Sequence, residues 1–282
     1  MFGSNIFNVL VTLGLCALII PLRVSRQLVR LDIPLMIGAS LLVFVLALNE
    51  QLGHLEGALL LVMLLVYLGL ILRQSRHHGR TYPAVVEGAR HGPAPWLSSL
   101  TIMLLGLGLL ILAGHLLLDA AVEVAVDLGL SERVIGLTVV AVCTSLPELA
   151  TSLIAAIRGE REIAVGNVIG SNLFNLLGVL GFTAAIAPEP LSVSPNALDF
   201  DLPVMLGVAV LTLPVFYSGY RVTRSEGFVL LCLYLAYGLH VVSFTTGMPL
   251  ATRLEQLMLF YILPVLAAVL LYTTARAWRR QH

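Results

Sequence analysis

Lysine is missing altogether, so all sixteen basic residues of this 282-residue chain are arginine, balanced by sixteen Asp and Glu. Charged residues make up 11% of the chain and hydrophobic ones 59%, against about 25% and 45–50% in soluble domains. That scarcity of charge excludes a soluble globular domain. The arginines form short clusters and never a basic tract, so nucleic acid is not an expected partner. Cysteine is nearly absent too. Cys16, Cys143 and Cys232 each sit in an apolar run without CxxC or Cys/His spacing, which suggests neither a disulfide framework nor a zinc site. No nucleophile–base pair is visible, so an enzyme is not expected, and nothing calls for a cofactor.

What the chain has in abundance is long apolar runs. With about 20 residues per crossing, the runs predict nine spans, at 2–20, 33–49, 55–72, 97–118, 134–157, 163–187, 200–217, 226–246 and 255–275. The expected fold class is therefore an all-α polytopic membrane protein with about nine transmembrane helices. Fourteen of the sixteen arginines fall on one set of alternate loops, and only Arg133 and Arg253 on the other. The positive-inside rule then predicts a plasma (inner) membrane protein with its N-terminus outside and its C-terminus in the cytoplasm. Residues 73–96, rich in His, Pro and Gly, read as a cytoplasmic linker.

The chain also repeats itself. Gly3-Ser-Asn-Ile-Phe-Asn8 matches Gly170-Ser-Asn-Leu-Phe-Asn175 at an offset of 167, and the match continues through Gly14 and Gly181 to Pro21 and Pro188. Downstream, Asp32, Pro34, Met36 and Gly38 pair with Asp201, Pro203, Met205 and Gly207, then Glu56-Gly57 with Glu226-Gly227 and Tyr67 with Tyr237. The arginine distribution makes the first copy run inward and the second outward, which is the inverted repeat of secondary transporters, with the substrate site where the copies meet. The expected organisation is residues 1–72 as three helices of the first repeat, 97–246 as five helices of the second, and 247–282 as an additional helix with a basic tail. Spans 97–118 and 134–157 have no counterpart before Gly3. Symmetry predicts roughly 70 further residues, from an N-terminal segment of a longer protein or from a second copy.

Of the sixteen acidic residues, Glu148 alone lies well inside a predicted span. An intramembrane carboxylate is costly unless paired, protonated or bound to a cation, and no arginine lies within a span to pair with it. In Cys143-Thr-Ser-Leu-Pro-Glu-Leu-Ala-Thr-Ser152, Thr144, Glu148 and Ser152 share one helix face at i, i+4, i+8, with Ser145 beside them. Pro147 removes a backbone donor and predicts a helix broken at membrane depth, whose freed carbonyls join carboxylate and hydroxyls in a hard-oxygen site. The next span carries Asn167, Ser171 and Asn175 at the same spacing, and the first copy repeats the stripe as Ser4 and Asn8. Ser, Thr and Asn met singly in such helices mostly bond a neighbouring backbone; their clustering beside a carboxylate and a proline favours ions. The stripe His115, Asp119, Glu123, Asp127 reads as an acidic mouth that attracts cations rather than a metal site. His240 reads as a core residue, and Asp32, Asp201, Glu56 and Glu226 as charges suited to helix N-termini.

The stretch from Gly136 to Gly181, with Thr144-Ser-Leu-Pro-Glu148, Ala164-Val-Gly-Asn167 and Gly170-Ser-Asn-Leu-Phe-Asn175, resembles the alpha-repeat of the sodium/calcium exchanger (cation/calcium antiporter) superfamily, most like its prokaryotic members. The resemblance covers most of residues 1–246 and implies two inverted repeats with alternating access, coupling Na⁺ influx to Ca²⁺ efflux. By position it implies that Glu148, Thr144, Ser145, Ser171 and Asn175 hold the ions, with Ser4 and Asn8 as the other repeat's contribution. Family members carry a proline-glutamate element in the first repeat as well, which this sequence lacks, and often Asp where Asn8 and Asn175 stand. The expectation is a secondary cation antiporter, Na⁺/Ca²⁺ exchange by alternating access, whose partners are the lipid bilayer and small inorganic cations. The alternatives are an H⁺-coupled antiporter using Glu148, an ion channel, or an inactive truncated subunit.

Overall fold

The computed structural model describes residues 1–78, 93–127, 135–217 and 219–246, with isolated positions between 253 and 268. Eight helices account for the continuous stretches: α1 (Phe2–Ile19), α2 (Leu28–Asn49), α3 (His54–His78), α4 (Pro93–Asp127), α5 (135–157), α6 (Arg161–Ile186), α7 (Ala197–Tyr217) and α8 (Arg224–Thr246). Seven are long and apolar enough to cross a membrane, and in the eighth the shorter Ala141–Ile157 is extended by a π-helical lead-in, Ile135–Val140. These match the first eight predicted spans. Most of the ninth, 255–275, lies outside the described residues, as does 79–92 of the predicted linker.

Helix starts are set by local chemistry. At α8 the Thr223 N–H donates to Glu226 Oε2 at 2.8 Å while the Glu226 N–H donates back to Thr223 Oγ1 at 3.3 Å, a reciprocal capping box. The Gly53 N–H makes the matching bond to Glu56 Oε2 at 3.0 Å before α3. Ser25 and Ser194 accept from the Leu28 and Ala197 N–H groups, opening α2 and α7 alike. Glu56 and Glu226 thus sit at N-termini as their positions predicted. Asp32 and Asp201 do not behave as exposed terminal charges. Both are buried, at 6% and 1% exposure, each accepting from a tyrosine: Tyr67 Oη to Asp32 at 3.2 Å and Tyr237 Oη to Asp201 at 3.1 Å. They lie in π-helical turns, Leu28–Asp32 and Ala197–Asp201, whose wider coil turns them inward, so a second class of buried carboxylate stands beside Glu148.

Four two-residue strands fix the topology. β1 (Leu22–Arg23) pairs antiparallel with β4 (Arg221–Val222), and β2 (Gln51–Leu52) with β3 (Leu191–Ser192). The loops after α1 and α6 are equivalent in sequence, yet the first meets the loop before α8 and the second the loop before α3. They therefore lie on opposite faces, and the two copies run in opposite directions. Reciprocal packing follows: α8 lies on α1 and α3 on α6, while α2 and α7 face each other. A Cβ on Gly227 would come within 2.7 Å of the Gly14 carbonyl oxygen, and one on Gly57 within 2.7 Å of that of Gly181. These four glycines let backbones touch where the copies clasp. Residues 3–14 of α1 are all buried, so α1 is the axis of the core, whereas α4 presents Ile102, Met103, Leu104 and Leu105 outward as a lipid-facing surface should.

Candidate ion site

Helix α5 is flanked by α1 on one side and α6 on the other, so polar residues of both copies converge on it. The predicted break at Pro147 does not occur. Ala141–Ile157 runs as one helix through the proline, and the wide π turn Ile135–Val140 immediately upstream is where the coil departs from α geometry. A helix interrupted by a missing donor need not part when an adjacent wide turn absorbs the steric conflict. The carbonyls just beyond the proline are engaged by side chains: Thr151 Oγ1 donates to Pro147 O at 2.9 Å and contacts Glu148 O at 3.1 Å.

Between α5 and α6 opens a pocket of about 380 Å³ lined by Glu148, Asn167, Ser171 and Asn175, with Gly166, Gly170 and Phe174 completing the wall. Glu148 is half-buried, and among the described residues its Oε2 is a buried oxygen without a hydrogen-bond partner. A buried carboxylate oxygen left unpaired is expensive, and a proton or a cation would relieve it. Asn167 ties the two helices together, donating to Ser152 Oγ at 2.9 Å and Thr151 Oγ1 at 3.1 Å. Glycines 166 and 170 leave room for an ion, since a Cβ on either would meet nothing within 4 Å. The pocket sits at mid-depth of both helices.

The remaining predicted residues sort into two groups. Ser4 reaches Thr144, Oγ to Oγ1 at 3.1 Å, linking the first copy to α5, while Thr144 also donates to Val140 O at 2.8 Å. Ser145 is buried, at 1% exposure, and does not line the pocket. Asn8 and Asn175 belong to a clasp with near two-fold symmetry. Asn5 Nδ2 donates to Asn172 O at 3.3 Å and Asn172 Nδ2 to Asn5 O at 3.1 Å, while Asn8 Nδ2 donates to Asn172 Oδ1 at 3.1 Å and Asn175 Nδ2 to Asn5 Oδ1 at 2.9 Å. With its amide spent on Asn5, Asn175 keeps its oxygen for the pocket. Asn8 Oδ1 is a second buried, unpartnered oxygen among the described residues, and Thr12 Oγ1 a third. Thr12 escaped the sequence reading, although Ser4, Asn8 and Thr12 carry the same i, i+4, i+8 spacing as the other stripes.

His115, Asp119, Glu123 and Asp127 are exposed along α4, and among the described residues no group of three His, Cys, Asp or Glu could hold a metal. His240 stacks against Phe200 with ring centres 3.9 Å apart, as a core residue would.

A bundle of apolar helices clasped as inverted copies, with polar side chains meeting at mid-depth, defines the class of inverted-repeat membrane transporters. The sequence profile of the family described as sodium/calcium exchanger protein matches residues 1–73 and 98–243, and the chain belongs to that family. It is 36% identical over 239 residues to the putative antiporter CaxA of Alkalimonas amylolytica, covering 83% of this chain and 75% of that one. The inner membrane protein YrbG of Escherichia coli K12 is 36% identical over 217 residues, or 74% of this chain, which spans 65% of that protein's length. The solved sodium-calcium exchanger NCX_Mj, soaked with Na⁺ and Ca²⁺, superposes with a TM-score of 0.65 at 28% identity, covering 83% of this chain and 72% of the other.

Proposed function

We propose that the chain is a secondary cation antiporter that exchanges Na⁺ for Ca²⁺ at a site centred on Glu148. The observation that carries this reading is the buried, unpartnered Oε2 of Glu148 in a mid-depth pocket lined by Asn167, Ser171 and Asn175. Thr144, Ser4 and Asn8 extend the polar face from α5 to α1, while Ser145 stands outside the pocket. Every ligand except Glu148 is neutral, so the pocket offers one formal negative charge, enough for one Na⁺. Ca²⁺ prefers six to eight oxygens and usually more than one carboxylate. Phe174, in the wall of the pocket, is 56% exposed. A Ca²⁺ site here calls for a further carboxylate beyond Glu148.

Exchange follows from competition. One site holds either ion but not both fully dehydrated, and reorientation of the copies exposes it to alternate faces. The face bearing Arg23, Arg26 and Arg221 is cytoplasmic by the positive-inside rule, which puts the N-terminus outside. The repeats divide as residues 1–72 and 97–246, and the chain works as a multi-pass protein of the plasma membrane.

The test is ⁴⁵Ca²⁺ uptake into Na⁺-loaded proteoliposomes. Uptake that collapses when the Na⁺ gradient is removed and that is absent in Glu148→Gln supports the reading. Uptake driven by a pH gradient without Na⁺ replaces it with proton coupling, and uptake unchanged in Glu148→Gln removes the site.

A further inference from the structure

The strand pair β1–β4 sets Arg23 directly opposite Arg221. Like charges facing each other across an antiparallel ladder are destabilising, and among the described residues neither guanidinium has an ion-pair or hydrogen-bond partner. The fold does not need them there. At the pseudo-symmetric pair β2–β3 the same two places are held by Ser192 and Gln51, both neutral and both exposed. Neighbouring arginines are spent differently: Arg161 and Arg224 donate to the Pro21 and Ile19 carbonyls at 3.4 and 3.2 Å, capping the end of α1.

Arg23 and Arg221 instead line a pocket of about 550 Å³ together with Arg26, Tyr220 and Glu162. Arg26 is held over the Tyr220 ring at 5.8 Å. Three guanidinium groups thus surround one cavity against a single carboxylate, at the end of α1 where the chain leaves the bilayer core. Arginine forks match phosphate oxygens bidentately, and basic pockets between helices at this depth take lipid head groups. Leu22 and Val222 beside them are fully buried in the protein, so the ladder that carries the arginines is anchored in the core.

We propose that this pocket binds the phosphate of an anionic phospholipid, which neutralises the facing arginines and clamps the two repeats together on that face. A site for free inorganic phosphate shares the chemistry, and the test separates the two. The variant Arg23→Ser/Arg221→Gln transplants the residues that the fold already uses at β2–β3, so it keeps the ladder.

The melting temperature of the full chain is measured in neutral detergent with added phosphatidylglycerol, phosphatidylcholine of the same acyl chains, or millimolar inorganic phosphate. Phosphatidylglycerol raises the wild-type melting temperature by about 2–4 °C, the others do not, and the double variant shows no such rise. In a lipid titration the midpoint for the variant shifts roughly thirtyfold, at about fivefold per arginine facing an anionic surface. Equal stabilisation by inorganic phosphate overturns the lipid assignment. An equal rise in wild type and variant, or no rise in wild type, overturns the site. Ca²⁺ binding at Glu148 serves as the separate readout of the transport site: if it fails in both proteins while lipid stabilisation persists, the transport reading falls and the lipid site stands.

Discussion

Two kinds of carboxylate are buried in this bundle, and their partners decide what each can do. Asp32 and Asp201 each accept a hydrogen bond from a tyrosine hydroxyl. Glu148 Oε2 is met by nothing among the described residues. The first kind ties α2 to α3 and α7 to α8, and the second is the one proposed to meet a cation. Tyr67→Phe therefore removes a donor to a buried carboxylate and costs about 1–3 kcal/mol; thermal unfolding in detergent should show it as a lowered melting temperature while Na⁺ still competes with Ca²⁺. Glu148→Gln should do the reverse, with stability retained or raised because an unpaired buried charge has gone, and transport lost. Glu148 stands out in the sequence because, of the acidic residues, it alone falls well inside an apolar run. Asp32 and Asp201 do stand at helix starts as read, and what the sequence left out is their burial. Their burial comes from π-helical turns and from tyrosines 35 and 36 residues away, neither of which is written locally.

At the scale of elements, contact between the copies rests on glycine. A Cβ at position 57 would lie 2.4 Å from the Ala185 nitrogen and 2.7 Å from the Gly181 oxygen, both backbone atoms that cannot swing aside. Gly57→Ala should therefore force α3 away from α6 and cost about 1–3 kcal/mol. Gly38→Ala and Gly207→Ala are the controls, because nothing lies within 4 Å of either Cβ and helix propensity favours alanine by about 1 kcal/mol. Equal loss of stability in all three would contradict this account of the packing. Both members of each close pair were visible in the sequence as part of the repeat, but which glycines meet was not, since the answer depends on how the copies are clasped. Pro147 shows the same limit. Its missing donor was legible, whereas the π turn that lets the helix continue depends on the packing of α5 between α1 and α6.

For the whole molecule the decisive feature is inversion. Loops equivalent in sequence end on opposite faces, and a chain read only for hydropathy predicts that from the arginines alone; the strand pairs arrive at it independently. With the native cysteines replaced, single cysteines at 51 and 192 should react with a membrane-impermeant maleimide on intact cells, and those at 23 and 221 only after permeabilisation. Labelling of 23 and 51 from the same side would break the inverted arrangement. Inversion also explains how one set of side chains serves two faces, because reorientation about a pseudo-two-fold axis swaps equivalent environments around the same pocket.

The central claim is that one pocket, organised by Glu148, holds Na⁺ and Ca²⁺ in competition. It is tested most directly by ⁴⁵Ca²⁺ binding to the purified chain in increasing Na⁺, with choline as the balancing cation, in wild type and Glu148→Gln. The account predicts a Ca²⁺ affinity that falls as Na⁺ rises while the number of sites stays constant, and no measurable Ca²⁺ site in Glu148→Gln. Ca²⁺ binding that ignores Na⁺, or that survives in Glu148→Gln, would contradict it.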